Sequence, residues 1–485
     1  MLRAQPQQYK QLEAELKSVV GNEYVLSAPV DLALYDCDGE TLDRAIPDLV
    51  VIPANTEEVQ SVVRLAAKHK VPVIPRGAGT GLSGGSTPIR GGISLVLTRM
   101  TRIISIDADN FCAHVQTGVT NSSVSRASDK FGLYFAPDPS SQVASTIGGN
   151  IAENAGGAHT LKYGLTTNNV LGVKVVLPDG EVTTFGGTSR DSLGLDLLGF
   201  FVGSEGTIGI ATEAYLKLIP RAQAVQTMLA YFPSLESGGQ AVSDIVARGV
   251  IPAAMEMIDK LTLNCVEDAL HLGLNREAAA LLIVELDGQQ ASIAIERESV
   301  EECVQAHDAM SIAWAHDEKE RALIWKARKS SFGALGRLAP HGYVLDGVIP
   351  RSKLSNAIAS IQTISEKYDV VIANVYHAGD GNLHPCLLYN SDDEPLVKRV
   401  LLAAREILEM CVELGGTLSG EHGIGVEKIR EMTVAFKQCD LDAMTNARAA
   451  FDPDELFNPG KLIPSPKSCG ESGGRALLRH QLSAC

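Results

Sequence analysis

Two short stretches of this 485-residue chain gather the side chains best suited to chemistry. The first, NVYHAGDGNLHP, sets His377 and His384 seven residues apart around the turn Gly379-Asp380-Gly381. The second, SGEHGIG, holds Glu421 and His422 with glycines on both sides. Two imidazoles and a carboxylate are a nitrogen and oxygen ligand set suited to Zn²⁺ or Mn²⁺, with positions left open for a substrate. On an uninterrupted strand an odd spacing sends two side chains to opposite faces, so the glycine turn must re-aim one histidine if both serve one site. A lone histidine is ordinarily a satisfied core or surface residue, and His69, His114, His159, His271, His307, His316, His341 and His480 are read that way. Glycine-framed loops set the other three apart. A further candidate is Arg328 in IWKARKSSF, whose guanidinium matches the two oxygens of a substrate carboxylate. Its competing reading is a basic helix face shared with Lys326 and Lys329.

The elements that must position these groups are punctuated by glycine. Seven glycines lie between Gly77 and Gly92, five between Gly148 and Gly164, seven between Gly186 and Gly209, and five between Gly415 and Gly425, so four segments can bring backbone close to a ligand. Residues 79–84, GTGLSG, satisfy the GxGxxG of a dinucleotide fold, but the chain runs on through Pro88 into a strand where that motif needs a helix. What remains is a loop whose successive N–H groups can form an anion-binding nest. The second cluster, DPSSQVASTIGGNIAENAGG, adds Ser140, Ser141, Asn150 and Asn154, neutral groups suited to a flat heterocycle and a diphosphate.

Around these loops the pattern predicts a helix over the first 20 residues, then strand, helix, strand, glycine loop and strand from 47 to 106. Asn55 with Glu58 reads as a capping box. Pro178-Asp179-Gly180 reads as the turn of a hairpin. Strands near 281–286 and 371–376, with helices near 290–308 and 396–414, predict an α+β second domain. The boundaries expected are an N-terminal helical segment 1–44, a first domain 45–220, a second 221–415, a C-terminal site segment 416–464 and a solvated tail 465–485.

Composition narrows the function class. Lys and Arg number 42 against 58 Asp and Glu, a net charge of −16, with no basic block, which argues against a nucleic-acid partner. No apolar run reaches membrane-spanning length and the first residues carry no export signal, so the expected location is cytoplasmic. Nine scattered cysteines without a CxxC pair argue against a disulfide framework, a Cys-ligated zinc or an iron-sulfur cluster.

PRGAGTGLSGG, STIGGNIAENAGG, YGLT, GSEGTIG and NPGK together resemble the FAD-binding elements of the vanillyl-alcohol oxidase type of flavoprotein. From about residue 5 to 464 the chain is similar to the D-2-hydroxy-acid dehydrogenases, above all to the FAD subunits of glycolate dehydrogenases. The resemblance implies an α+β architecture: a two-subdomain, PCMH-type FAD-binding domain, an α+β substrate or cap domain, and a C-terminal segment returning to the flavin. It implies FAD contacts from Arg76, Gly77, Gly79, Thr80, Gly81, Gly84, Gly85, Pro139, Ser140, Ser141, Gly148, Gly149, Asn150, Asn154, Gly156, Gly157, Tyr163, Gly164, Glu205, Gly206, Ile210 and Asn458. Relatives that attach FAD covalently use a His or Cys near the first glycine loop, and none lies between Arg76 and Gly92, so noncovalent FAD is expected. By the same resemblance His377, His384 and Glu421 are metal ligands, Asn382 contacts substrate, His422 is the base and Arg328 holds the carboxylate. Relatives acting on dicarboxylates carry a lysine in the segment matching GYVLD. Val344 and Leu345 stand here, which points to a small monocarboxylate, glycolate to glyoxylate or alternatively D-lactate to pyruvate. The implied partners are an iron-sulfur subunit and a second flavoprotein-like subunit of a glycolate dehydrogenase complex, through which any attachment to the inner face of the membrane would come.

Overall fold

A computed structural model describes residues 7–188 and 194–464. The tail expected from Ser465, with Cys469, His480 and Cys485, and the first six residues of the N-terminal segment lie outside the described residues. Two compact units emerge: one takes residues up to Gly156, Leu165–Pro220 and residues from Glu421 on, the other Gly157–Gly164 and Arg221–Gly420.

In the first unit, β1 (Val25–Leu26), β2 (Leu49–Val51), β3 (Val73–Arg76) and β4 (Ile93–Val96) form a sheet in the order β1-β2-β4-β3. The helix Thr56–His69 starts where the sequence places it. Asn55 Oδ1 accepts the Glu58 N–H at 2.9 Å, and the Glu58 carboxylate reaches back to the Ala54 N–H at 2.8 Å. Its apolar face (Val59, Val62, Val63, Ala66) buries against β2, β3 and β4 together with Leu12 and Leu16 of the helix Gln7–Val20. β3 and β4 pair in parallel, and the glycine loop 77–92 joins them without a helix. Five antiparallel strands make a second sheet in the order β5-β6-β10-β8-β9: β5 (Ile103–Asp107), β6 (Cys112–Gln116), β8 (Val170–Val176), β9 (Val182–Gly186) and β10 (Ile210–Lys217). β7 (Leu133–Tyr134) pairs with β11 (Ile219–Pro220). The expected hairpin is β8-β9, its turn closed by the Gly180 N–H on the Leu177 carbonyl. From the C-terminal segment Phe457 bridges Val73, and the Asn458 N–H donates to the Val73 carbonyl at 2.9 Å, so NPGK lies beside the mouth of the first glycine loop.

The second unit is built on one antiparallel sheet: β12 (Ala224–Phe232), β13 (Ala254–Asp259), β14 (Ala280–Gly288), β15 (Ser311–Trp314), β16 (His341–Val344), β17 (Gly347–Val348), β18 (Ile372–His377) and β19 (Asn382–Tyr389). The order is β15-β12-β14-β13-β18-β19-β16, with β17 also on β19. Its central strands are buried on both faces, which is why they read as nearly unbroken apolar runs. One face packs Ile258, Ile283, Ala373, Val375 and Cys386 against Leu263 and Val266 of the helix Lys260–Leu270, Ala327 of Glu318–Lys329 and Leu335 of Ser331–Leu335. The same face carries the two candidate histidines.

Candidate active site

The puzzle of the odd histidine spacing is solved by a hairpin. His377 ends β18, Asn382 opens β19, and the two are direct cross-strand partners, with Val375 opposite His384. Opposed residues of an antiparallel pair share a face, and so do residues two apart on one strand, so His377, Asn382 and His384 all point the same way. The turn depends on Gly381, at φ 82°, where a Cβ would lie 2.2 Å from the Ile349 carbonyl oxygen. A nitrogen of each imidazole lies within 4.8 Å of the other, and the rings meet edge to face at a centroid distance of 5.0 Å.

Each ring is held from behind. His377 Nδ1 lies 2.6 Å from Glu256 Oε1, and Glu256, on β13, is the direct cross-strand partner of His377. His384 Nδ1 lies 3.0 Å from the Leu345 carbonyl oxygen, which can only accept, so the Nδ1 carries the proton. With Nδ1 used in this way, Nε2 of each ring keeps its lone pair, the state in which a histidine binds a metal. Asp346, fully buried, organises the neighbouring groups: its carboxylate accepts from Asn382 Nδ2 (3.1 Å), the Ser419 hydroxyl (2.6 Å) and the Gly420 N–H (3.0 Å). Asn382 Oδ1 is buried with no hydrogen-bond partner among the described residues.

Arg328 lies in this unit too, only 4% exposed, which removes the surface-helix reading. Lys326 and Lys329 beside it are exposed. Arg328 Nε (2.6 Å) and Nη2 (2.5 Å) both meet Glu256 Oε2, so the guanidinium edge expected to face a substrate carboxylate is engaged by a protein carboxylate. A second, similar assembly stands on the next strand. Arg321 grips Glu285 of β14 with two bonds of 2.9 Å, while Trp325 Nε1, Thr227 Oγ1 and His159 Nε2 close around it. Burial opposes ionisation of Glu285, but the His159 and Arg321 bonds outweigh it and hold its carboxyl far below the usual range. The Tyr163 hydroxyl and Lys162 Nζ each meet Asp287 at 2.5 Å, so Gly157, Tyr163 and Gly164 sit in a segment tied to β14. Glu256, Asp346 and Glu285 are the residues that sequence reasoning missed. For Glu256 and Glu285 the signal was carboxylates in otherwise apolar strands, as in AMEMID and ALLIVELDG, which must find partners if buried.

In the first unit the expected flavin residues gather around the glycine loops. Arg76 ends β3 and turns back, donating to the Cys37 carbonyl (2.8 Å) and the Ser86 hydroxyl (3.1 Å). Gly77, Gly79, Thr80, Gly81, Gly84 and Gly85 follow in the loop; a Cβ on Gly77 would lie 2.3 Å from Thr146 Oγ1, which caps the helix Ile147–Glu153. Gly148, Gly149 and Asn150 are in that helix, with Asn154 its left-handed C-cap and Gly156 just beyond. Pro139, Ser140 and Ser141 form a turn closed by the Gln142 N–H on the Pro139 carbonyl. Glu205 and Gly206 precede Ile210, the first residue of β10. Ser83 Oγ, Ser145 Oγ, Asn150 Nδ2 and Ser204 Oγ are buried without a hydrogen-bond partner among the described residues. Each such group costs about 1–3 kcal/mol if nothing satisfies it. Four of them on these loops fit a ligand rich in phosphate, hydroxyl and amide groups.

Two of the expected contacts serve the loops themselves. Asn458 Nδ2 donates to the Gly85 (2.8 Å) and Glu205 (2.7 Å) carbonyls, and its Oδ1 meets Lys461 Nζ at 3.2 Å. Glu205, at a positive φ of 52°, uses both carboxylate oxygens on the Ile424 (2.6 Å) and Gly425 (2.8 Å) N–H groups, just past His422. Glu421 Oε2 accepts from the Gly156 N–H at 3.1 Å, and its Oε1 lies 4.0 Å from His422 Nε2. Behind this loop burial, then the Glu205 and Asp38 carboxylates, raise the Glu153 carboxyl well above the usual range. Burial also draws the Lys461 ammonium down to about 8, against the pull of Asp38, Glu205 and Glu153.

Residues 47–186 match the family described as FAD binding domain, and residues 221–462 match FAD linked oxidases, C-terminal domain. The chain is 44% identical over 449 residues to the glycolate oxidase subunit GlcD of Escherichia coli, covering 93% of this chain and 90% of that one. The chain belongs to the FAD-linked oxidases. Other relatives of this FAD-linked oxidase are GlcD of Bacillus subtilis, 40% identical over 94% of this chain and 97% of that one, and a D-lactate dehydrogenase of Archaeoglobus fulgidus, 34% identical over 87% and 92%. The solved 4-ethylphenol oxidase from Gulosibacter chungangensis superposes with a TM-score of 0.79 at 19% identity over 95% of this chain and 98% of that one, and so speaks for the fold. The architecture is α+β with a PCMH-type FAD-binding domain, as expected, the cofactor is FAD, and the chain is an oxidoreductase. No helix among the described residues is long and apolar enough to cross a membrane.

Proposed function

We propose that this FAD-linked oxidase oxidises a small 2-hydroxy monocarboxylate, glycolate to glyoxylate, with D-lactate to pyruvate as the second reading. The observation that carries the proposal is the pair of imidazoles on one sheet face, each with its Nδ1 held by a buried acceptor. The glycolate oxidase and D-lactate dehydrogenase relatives support the substrate class. His377 and His384 would hold the ion, and Glu421 would join them. Glu421 is bonded directly to Gly420, whose N–H is fixed on Asp346.

The chemistry that bound FAD supplies is acceptance of the hydride from C2, and that of a divalent ion, Zn²⁺ or Mn²⁺, is a lower pKa for the substrate hydroxyl. His422 takes the hydroxyl proton, a role suited to an imidazole near neutral pH. Asn382, with its unpartnered Oδ1, orients the substrate. Arg328 has only Glu256 as a partner among the described residues, so its Nη1 remains for the substrate carboxylate. Leu345 is fully buried and Val344 packs in the apolar cluster, so this segment offers no cation to a second carboxylate. FAD is held without a covalent bond, and the electrons pass to an iron-sulfur subunit at the inner membrane face.

An anaerobic absorbance titration tests this reading. Glycolate should bleach the flavin at the lowest concentration, D-lactate next, and a 2-hydroxy dicarboxylate poorly. In His422→Asn the yellow FAD should remain while bleaching slows by about 10²- to 10⁴-fold. Bleaching of that variant at the wild-type rate would remove His422 from the mechanism.

A further inference from the structure

We propose that Glu256 is a positioning residue for the metal site, acting through His377. This inference rests on the proposed reading that His377 is a ligand.

The sheet register puts Glu256 directly opposite His377, and its side chain is fully buried. Its two oxygens have separate tasks. Oε1 accepts the Nδ1–H of His377 at 2.6 Å, and Oε2 takes both Nε and Nη2 of Arg328. A buried carboxylate without a counter-charge is costly, and Arg328, itself almost fully buried, provides that charge. The guanidinium also fixes Oε2 in place, because two of its nitrogens converge on that oxygen. With the ring proton fixed on Nδ1, His377 keeps the Nε2 lone pair, and the ring cannot turn without breaking a charged hydrogen bond. Arg328 is delivered from the helix Glu318–Lys329, which the Arg321 grip on Glu285, seven residues earlier, ties to the same sheet face. The chain thus spends one helix and two acids on aiming one imidazole.

The test measures Zn²⁺ affinity of the full FAD-containing chain, first stripped of metal, by competition with a chromophoric chelator. Glu256→Gln should bind Zn²⁺ about 10- to 100-fold more weakly, the usual effect of losing a carboxylate behind a ligating histidine. The double variant Glu256→Gln with Arg328→Met removes both members of the buried pair, avoids an orphaned charge and should show the same weakening. Co²⁺ replaces Zn²⁺ as a spectroscopic probe, and its visible d–d bands should shift in both variants. A merely structural Glu256 would lower the melting temperature of the metal-free chain and leave affinity and bands unmoved, which overturns the proposal. His377→Ala is the reference. If it loses Zn²⁺ while the Glu256 variants keep wild-type affinity, this inference alone falls; if it keeps full affinity, the metal reading falls and this inference with it.

Discussion

Glu153 shows how burial can raise the carboxyl pKa of a side chain that has no part in the assigned chemistry. Its Oε2 is sealed from solvent with no hydrogen-bond partner among the described residues, and burial with the nearby Glu205 and Asp38 charges raises its carboxyl well above the ordinary 4.5. The folded chain therefore keeps a proton that the unfolded chain loses once the pH passes about 4.5. The stability this group contributes is full below that point and falls as pH rises toward the raised folded value. Gln cannot titrate, so the melting temperature of Glu153→Gln minus that of wild type should widen as the pH rises above about 4.5 and close toward acid. A difference that stays flat over that range would mean Glu153 ionises normally in the folded chain.

At the scale of elements, the helix Glu318–Lys329 separates what sequence could and could not tell. Its acidic start and basic end are plain, and Asp317 caps it by accepting the Glu320 N–H at 2.8 Å. Which basic residues turn inward is not plain, because their partners are set by sheet register 36 to 72 residues away. Arg321, Trp325 and Arg328 share one face at spacings of four and three, and that face meets acids, so apolar periodicity could not reveal it. We expect Arg321→Ala to cost up to about 3 kcal/mol by urea unfolding, because Glu285 would be left buried with a weakened counter-charge. Lys326→Ala, on the exposed side, should fall within about 0.5 kcal/mol of wild type. Equal effects would place Arg321 on the surface with the lysines. Local signals were legible for a related reason. Asn55 with Glu58, Pro178-Asp179-Gly180 and the strand after the GxGxxG loop each act within a few residues. The histidine pair was legible as residue types, whereas its common face needed the β18-β19 register.

For the whole molecule the open question is where two electrons go after each substrate is oxidised. FAD accepts them, and it must be emptied before the next turnover. The sequence has no CxxC pair, and each described cysteine is free, with none in a potential metal-ligand group among the described residues. The described residues thus offer no second redox centre, and the two outlets to separate are oxygen and an external acceptor such as another subunit. Two relatives at 44% and 40% identity are each named as a subunit. We expect the isolated chain, given glycolate in air, to form hydrogen peroxide at least about tenfold more slowly than it reduces an artificial dye, a difference of about 1.4 kcal/mol in barrier height. Both rates come from one preparation, so loss of FAD lowers them together and leaves their ratio intact. Peroxide formed as fast as the dye is reduced would make the chain a self-sufficient oxidase and remove the need for an iron-sulfur partner.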